Sequence, residues 1–300
     1  MSDRIQVLVA RVSAGEPLSD RDIDMLADST DLLALGMLAD DARRRAHGAD
    51  TTYVRVHDVA LAAVAGGVAI PPSAREVRVS GEWTSAPETL AALRAVVAAA
   101  GQTPVSAFSL ADLEQAADAG DLTLVDILHA VRHAGVSLIA DAPVDRLAAA
   151  EASLDAVRAA GLGLARLTVA RNGDLAARIA VVKRAAELQH ALGWIRSFAP
   201  LPRQWDPAMP TTGYEDVRQI ALARLVADNI PSIQVDWALY GPKLAQVALT
   251  VGADDVDGVS ASDEAPDGRR RAPIEELRRN IQAAALEPVE RDGAYRRVGA

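Results

Sequence analysis

Glu82 and Trp83 follow the short β-branched run Glu76–Val79 and place a carboxylate beside an indole at a strand end, a pairing suited to a ligand pocket. Gln234 and Asp236 share strand parity, so both point to one face, and Trp237 faces away from them unless the strand has already ended. Arg166, Arg171 and Arg203 lie in or just after two further runs. A guanidinium there can grip a carboxylate or phosphate through two parallel hydrogen bonds, and the alternative is ordinary surface solvation. Asp254, Asp255 and Asp257 flank or enter the last run. Paired carboxylates act as acid and base or hold a divalent ion, whereas loop and capping hydrogen bonds are the structural alternative. Lys243 is one of only two lysines, with Lys183, and opens a helix where the dipole opposes a cation. Either a ligand or an ion pair with Asp254 or Asp255 is expected to compensate it. The five histidines show no metal spacing, since His129 and His133 are i, i+4 on a helix without a further ligand cluster.

These residues need a scaffold, and from Tyr53 onward the sequence alternates short β-branched runs with alanine–leucine helices. Strands are expected at Tyr53–Val56, Glu76–Val79, Pro104–Phe108, Val136–Ala140, Leu164–Val169, Trp194–Phe198, Ile230–Val235 and Val256–Val259. Helices are expected between them, among them Pro87–Ala100, Leu110–Ala119, Val144–Ala160, Leu175–Leu192, Tyr214–Asp228 and Pro242–Val251. Parallel strands need crossovers, and right-handed crossovers bring the sheet round on itself. The fold class is therefore α/β, a (β/α)8 TIM-type barrel over residues 51–300, with a doubly wound open sheet as the alternative. Residues 1–50 form an N-terminal helical segment, in which Ser19 and Asp22 make a variant capping box. Residues 260–272 are polar and carry Asp263, Glu264 and Arg269 to Arg271, which reads as a mobile loop or a solvated connector.

Composition removes several functions. A formal charge of −10 opposes nucleic acid and anionic membrane surfaces, so neither is an expected partner. The longest apolar run, Val59 to Ile70, is too short to cross a bilayer, and the amino terminus lacks a secretory pattern, so the chain reads as cytoplasmic. No strand is followed by a glycine-rich nucleotide-phosphate loop. Cysteine is absent, which excludes disulfides, thiolate zinc, cysteine nucleophiles and cysteine-ligated iron–sulfur clusters.

The carboxyl third is distinctive. Thr211-Thr212-Gly213-Tyr214, Asn229-Ile230-Pro231, Gly241-Pro242-Lys243-Leu244-Ala245-Gln246-Val247-Ala248-Leu249 and Gly252-Ala253-Asp254-Asp255-Val256-Asp257-Gly258 occur in order. They resemble the menaquinone-pathway radical SAM enzymes, the aminofutalosine synthases and cyclic dehypoxanthinyl futalosine synthases, with the deazaflavin synthase subunits as cousins. Pro273-Ile274-Glu275-Glu276-Leu277 and Pro288-Val289-Glu290-Arg291-Asp292 look like that family's last helix and closing segment. Weaker similarity lies upstream, in Ala42 to Gly48, Ser106-Ala107-Phe108-Ser109 and Phe198-Ala199-Pro200-Leu201.

The resemblance implies a radical-SAM-like barrel, a [4Fe–4S] cluster held by three cysteines after the first strand, and S-adenosylmethionine. This chain departs from it there. The stretch after Tyr53-Val54-Arg55-Val56-His57-Asp58 runs Val59 to Gly67 without a thiol, and His57 alone cannot replace three thiolates. The family's glycine pair after the second strand corresponds to Ser80-Gly81-Glu82-Trp83, its turn after the fourth to Ala140-Asp141-Ala142-Pro143, and its segment after the fifth to Ala170-Arg171-Asn172-Gly173-Asp174. No cofactor is expected, and radical chemistry is expected to be absent. Two readings follow: a homologue that binds a futalosine-like nucleoside or partners an active family paralogue, or a repurposed enzyme using acid–base chemistry, such as a non-radical lyase or hydrolase. The binding version calls for a polar pocket built from Glu82, Asp141, Arg166, Gln234 and Asp236. The partner version calls for an exposed apolar patch.

Overall fold

The computed structural model describes residues 3–16, 18–204, 207–208, 210–264 and 271–299. Helices α1 (Asp3–Ala14), α2 (Asp20–Ala27) and α3 (Leu32–His47) precede strand β1 (Asp50–Ala60). There follow β2 (Glu76–Ser80), α4 (Ala86–Ala100), β3 (Val105–Ser109), α5 (Leu110–Ala119), α6 (Leu124–His133), β4 (Leu138–Pro143) and α7 (Ala150–Ala159). The chain continues through β5 (Gly163–Leu164), β6 (Leu167–Val169), α8 (Leu175–Leu192), β7 (Ser197–Pro202), α9 (Gly213–Val226) and β8 (Ser232–Asp236). It closes with α10 (Trp237–Leu249), β9 (Asp255–Ser260), α11 (Pro273–Ala283) and β10 (Glu287–Glu290). No helix among the described residues is long and apolar enough to cross a membrane.

The chain divides into two compact units. One comprises Met1–Thr52, Thr168–Val256 and Leu277–Pro288; the other comprises Tyr53–Leu167, Asp257–Glu276 and Val289–Ala300. In the second, β1, β2, β3, β4 and β5 pair in parallel one after another, and β1 also pairs with β9. Each of β1 to β4 is followed by a helix or turn that returns the chain, as parallel pairing requires. In the first unit β7 and β8 pair in parallel, and α2 and α3 share a core with α9 through Leu26, Leu35, Leu38, Leu222 and Leu225.

Local chemistry sets the helix starts. The Ser19–Asp22 capping box forms as expected, and equivalent boxes at Thr123–Asp126 and Thr212–Glu215 open α6 and α9. Several elements differ from the sequence expectation: β1 runs Asp50–Ala60 rather than Tyr53–Val56, β7 runs Ser197–Pro202 rather than Trp194–Phe198, and the strand expected at Leu164–Val169 is divided into β5 and β6. Helix α7 begins at Ala150 rather than Val144, because Pro143 extends β4 and its carbonyl accepts from Arg146 and Leu147 in a turn. A helical turn from Trp237 precedes the helix expected at Pro242; Asp236 caps it by accepting from the Leu239 amide, and Gly241, at φ 74°, makes the joint. Strand β10 was not expected, since Pro288 and two glutamates mask its pattern, yet the Arg291 amide donates to the Tyr53 carbonyl alongside β1. Of the polar segment 260–272, residues 265–270 lie outside the described residues, and Asp263 forms an ion pair with Arg55 at 2.8 Å.

Candidate functional site

In the second unit, alternation along β2 puts Glu76 and Arg78 on the same face of the sheet. Ser106 comes from β3, Arg166 precedes β6, and Asp257 lies in β9. Glu76 and Asp257 are fully buried and Arg166 is 2% exposed. The two guanidiniums bridge the two carboxylates: Arg78 reaches Asp257 Oδ1 at 2.7 Å and Glu76 at 3.1 Å. Arg166 reaches Asp257 Oδ2 at 2.8 Å and Glu76 at 3.0 Å. The Ser106 hydroxyl also donates to Glu76 at 2.6 Å. Burial works against the Glu76 carboxylate, but Arg78 and Arg166 more than offset it and leave its pKa below the ordinary value. Arg78 is likewise held protonated, because Asp257 and Glu76 outweigh its own desolvation. Arg166 and Asp257, expected as ligand residues, thus meet each other and two partners that were not singled out, Glu76 and Arg78. A half-charged run such as Glu-Val-Arg-Val gives no sign in sequence of which charges will be buried.

The carboxyl ends of β2, β3 and β4 carry a second group in the same unit. Glu82 is exposed and Trp83 half-buried in the loop after β2. The Trp83 ring meets Phe108 edge-on, 6.0 Å between centroids at 66°. Phe108 sits at φ 60°, a left-handed backbone that a bulky residue rarely adopts and that costs about 1–3 kcal/mol. Asp141 is half-buried at the same level, in register with Ser109 across β3 and β4. An aromatic pair, a hydroxyl and carboxylates at neighbouring strand ends can hold a flat heterocycle with hydroxyl groups.

The donor set does not fit the cluster that the resemblance implies. After β1, Leu61–Gly66 is a 3-10 turn of Leu, Ala, Val and Gly, without a thiol. Its Leu61 side chain lies so close to Gly81 that a Cβ there would come within 3.1 Å of it. No group of three or more potential ligands among His, Cys, Asp and Glu occurs among the described residues.

In the first unit Gln234 and Asp236 both point inward, as parity required. Gln234 donates to Asp255 Oδ2 at 2.6 Å, and Asp236 pairs with Arg203 at 3.2 Å. Trp237 is buried because the strand has ended and α10 has begun. Asp216, in the first turn of α9, is 6% exposed; its Oδ2 accepts from Thr211 at 3.3 Å and its Oδ1 has no protein partner. Burial pushes the Asp216 carboxyl up from the ordinary value. Burial and the nearby Asp216 also push up the Tyr240 hydroxyl, which donates to the Pro202 carbonyl. Arg203, Asp216, Asp236 and Tyr240 therefore form a polar group after the carboxyl ends of β7 and β8. Sequence reasoning missed Asp216, whose only signal is its place four residues into a capped helix. Arg171 and Lys243 are exposed.

The expected Lys243 ion pair is replaced by another. Asp254 is held by Arg224 and accepts from Ser232 at 2.5 Å and from the Ile233 amide at 2.8 Å, while Asp255 accepts from Thr52 and Gln234. Arginine wins because its fork donates at once to Asp254 and to the Gly252 carbonyl, at 2.8 Å. These aspartates tie β8 and α9 to the start of β9, a structural task.

Comparison with known proteins locates the chain. Residues 203–298 match the family model described as CofH/MqnC C-terminal region. The aminodeoxyfutalosine synthase of Thermus thermophilus is 38% identical over 138 residues, 40% of this chain and 36% of that one. The 5-amino-6-(D-ribitylamino)uracil–L-tyrosine 4-hydroxyphenyl transferase of Archaeoglobus fulgidus is 37% identical over 122 residues, 36% of this chain and 35% of that one. The chain spans about a third of the length of these relatives. Methylornithine synthase (PylB) has the same fold, with a TM-score of 0.67 at 13% identity over 94% of this chain and 97% of that one. The hydrogenase maturase HydG from Carboxydothermus hydrogenoformans matches at a TM-score of 0.67 and 10% identity, over 96% of this chain and 79% of that one. The resemblance to the menaquinone futalosine-pathway radical SAM family holds, and the fold class is a (β/α)8 TIM-type barrel. Within the matched stretch lie Asp216, Asp254 and Asp255, of which the last two build the scaffold.

Proposed function

We propose that this chain is a cluster-less relative of the futalosine-pathway radical SAM enzymes that binds a small nucleoside-like molecule without radical chemistry. One observation carries the reading. The segment after β1, where the resemblance places three thiolates, is an apolar 3-10 turn, while Trp83, Ser109 and Asp141 stand at the neighbouring strand ends. A heterocycle packs on the half-buried indole, and Ser109, Asp141 and Glu82 take ribose or amide donors. Such a protein is a cytoplasmic pseudoenzyme of menaquinone biosynthesis, with no cofactor of its own.

The second reading, acid–base catalysis, draws support from Asp216. A buried carboxyl with an unused oxygen and a raised pKa is suited to hold or donate a proton. The two readings separate when purified protein is titrated with futalosine and aminodeoxyfutalosine in air, without reductant, following tryptophan fluorescence and product formation. Saturable quenching without product supports the binder; product lost on Asp216→Asn supports the enzyme. No quenching and no product overturns both.

A further inference from the structure

In the first unit, helices α1, α2 and α3 enclose a groove of about 860 Å³ that neither reading uses. Its floor is Leu8, Leu26, Leu35 and Leu38, with Met25 half-buried beside them. On α3, Leu33, Met37 and Asp41 follow at four-residue spacing and so lie on one face. Leu33 is 76% and Met37 63% exposed, an apolar ridge left in water. Asp24 on α2 and Asp28 at its C-terminal cap are also four apart, and Asp31 caps the start of α3. All four aspartates are exposed on the groove, and Arg21 is the one cation lining it among the described residues. Elsewhere on these helices the acids are matched: Asp22 by Arg11, Asp20 by Lys183, and Asp40 by Arg43 and Arg44. Among the described residues, the groove thus collects acidic side chains that have no cationic counterpart in the ion pairs around it.

We propose that this groove is a docking site for a basic amphipathic helix of another protein. The occupant needs an apolar stripe to cover Met25, Met37 and Leu33, and cations along its flanks to meet Asp24, Asp28, Asp31 and Asp41. A helix laid in a helical groove meets both requirements, since its anchors recur every three or four residues as the ridge on α3 does. At 16 residues α3 is about 24 Å long, room for roughly four turns of a partner. Methionine suits such a surface because its flexible thioether adapts to the side chain it meets, and Met25 and Met37 are two of the four in the chain. A second copy of this chain is disfavoured as the occupant, because its charge of −10 repels an acidic rim.

The test uses the full chain and a fluorescein-labelled synthetic peptide of 18 residues with leucine on one face and lysine and arginine on the other. Fluorescence anisotropy should give micromolar binding that weakens steeply as salt rises. Asp24→Asn with Asp28→Asn should weaken it about tenfold, and Met37→Glu should weaken it at least as much. Glu151→Gln with Asp155→Asn, an exposed acid pair at the same spacing on α7, should leave it unchanged, and circular dichroism melts check that each variant folds. Equal losses in the α2 and α7 variants, or equal binding of a peptide with glutamate in place of the cations, overturn the proposal. So does sedimentation of the free chain as a dimer that Met37→Glu dissolves.

Discussion

Arg166 Nη1 stands 2.8 Å from Asp257 Oδ2, and both side chains are sealed from solvent. With Glu76 and Arg78 they form a buried network of two cations and two anions, and removing one charge alone leaves that network with an uncompensated charge. Asp257→Asn should therefore destabilise the chain by about 3–5 kcal/mol, read as a lowered urea midpoint. Arg203→Gln, which breaks a pair whose arginine is 23% exposed, should cost about 1 kcal/mol or less. Equal costs for the two variants would show that the buried network does not set stability.

The same network fixes the response to acid. Because the folded pKa of Glu76 is depressed, its contribution to stability is present above the ordinary carboxylate pKa of about 4.3 and is lost as pH falls through the lower folded value. Urea midpoints taken from pH 7 downward should fall through this range in the parent and fall less in Glu76→Gln, which starts lower. Parallel curves would contradict the assignment.

Asp216 works in the opposite sense. Its carboxyl is raised in the folded chain, so the folded state holds the proton more tightly and a penalty grows as pH rises above the unfolded value of about 3.9. Asp216→Asn removes that penalty. Its Tm at pH 7 should exceed the parent's, and the gain should disappear below about pH 4. A residue whose removal stabilises the fold is held there for another task, and an unchanged or lowered Tm at pH 7 would sink this view of Asp216.

Trp83 is the aromatic anchor of the proposed nucleoside site. Trp83→Ala should weaken futalosine binding by about 5–100-fold, the value of one stacked base, while leaving the urea midpoint within about 1 kcal/mol of the parent. Calorimetric titration measures the first and denaturation the second. Unchanged affinity would move the ligand away from the ends of β2 to β4.

What the sequence made legible follows from which interactions are local. Strand and helix order emerged because runs such as Val77, Val79 and Val105 carry their own pattern, and capping pairs such as Ser19 and Asp22 mark helix starts within four residues. The partners of Asp254 and Asp257 did not emerge. Arg224 is 30 residues from Asp254, and Arg78 is 179 residues from Asp257, so only the folded backbone brings them together. Asp216 was invisible for a related reason: its burial is set by what packs over α9, while its neighbours Tyr214 and Glu215 face solvent. The acidic groove escaped notice because Asp24, Asp28 and Asp41 read along the chain as an ordinary solvated helix face.

The decisive measurement is anaerobic reconstitution of the purified chain with iron and sulfide, followed by iron analysis, a visible spectrum and incubation with S-adenosylmethionine and dithionite. A barrel with no thiol after β1 should stay colourless, retain no more iron than a cysteine-free control protein, and leave S-adenosylmethionine intact. A brown protein holding about four irons per chain that releases methionine and 5′-deoxyadenosine would contradict the central claim.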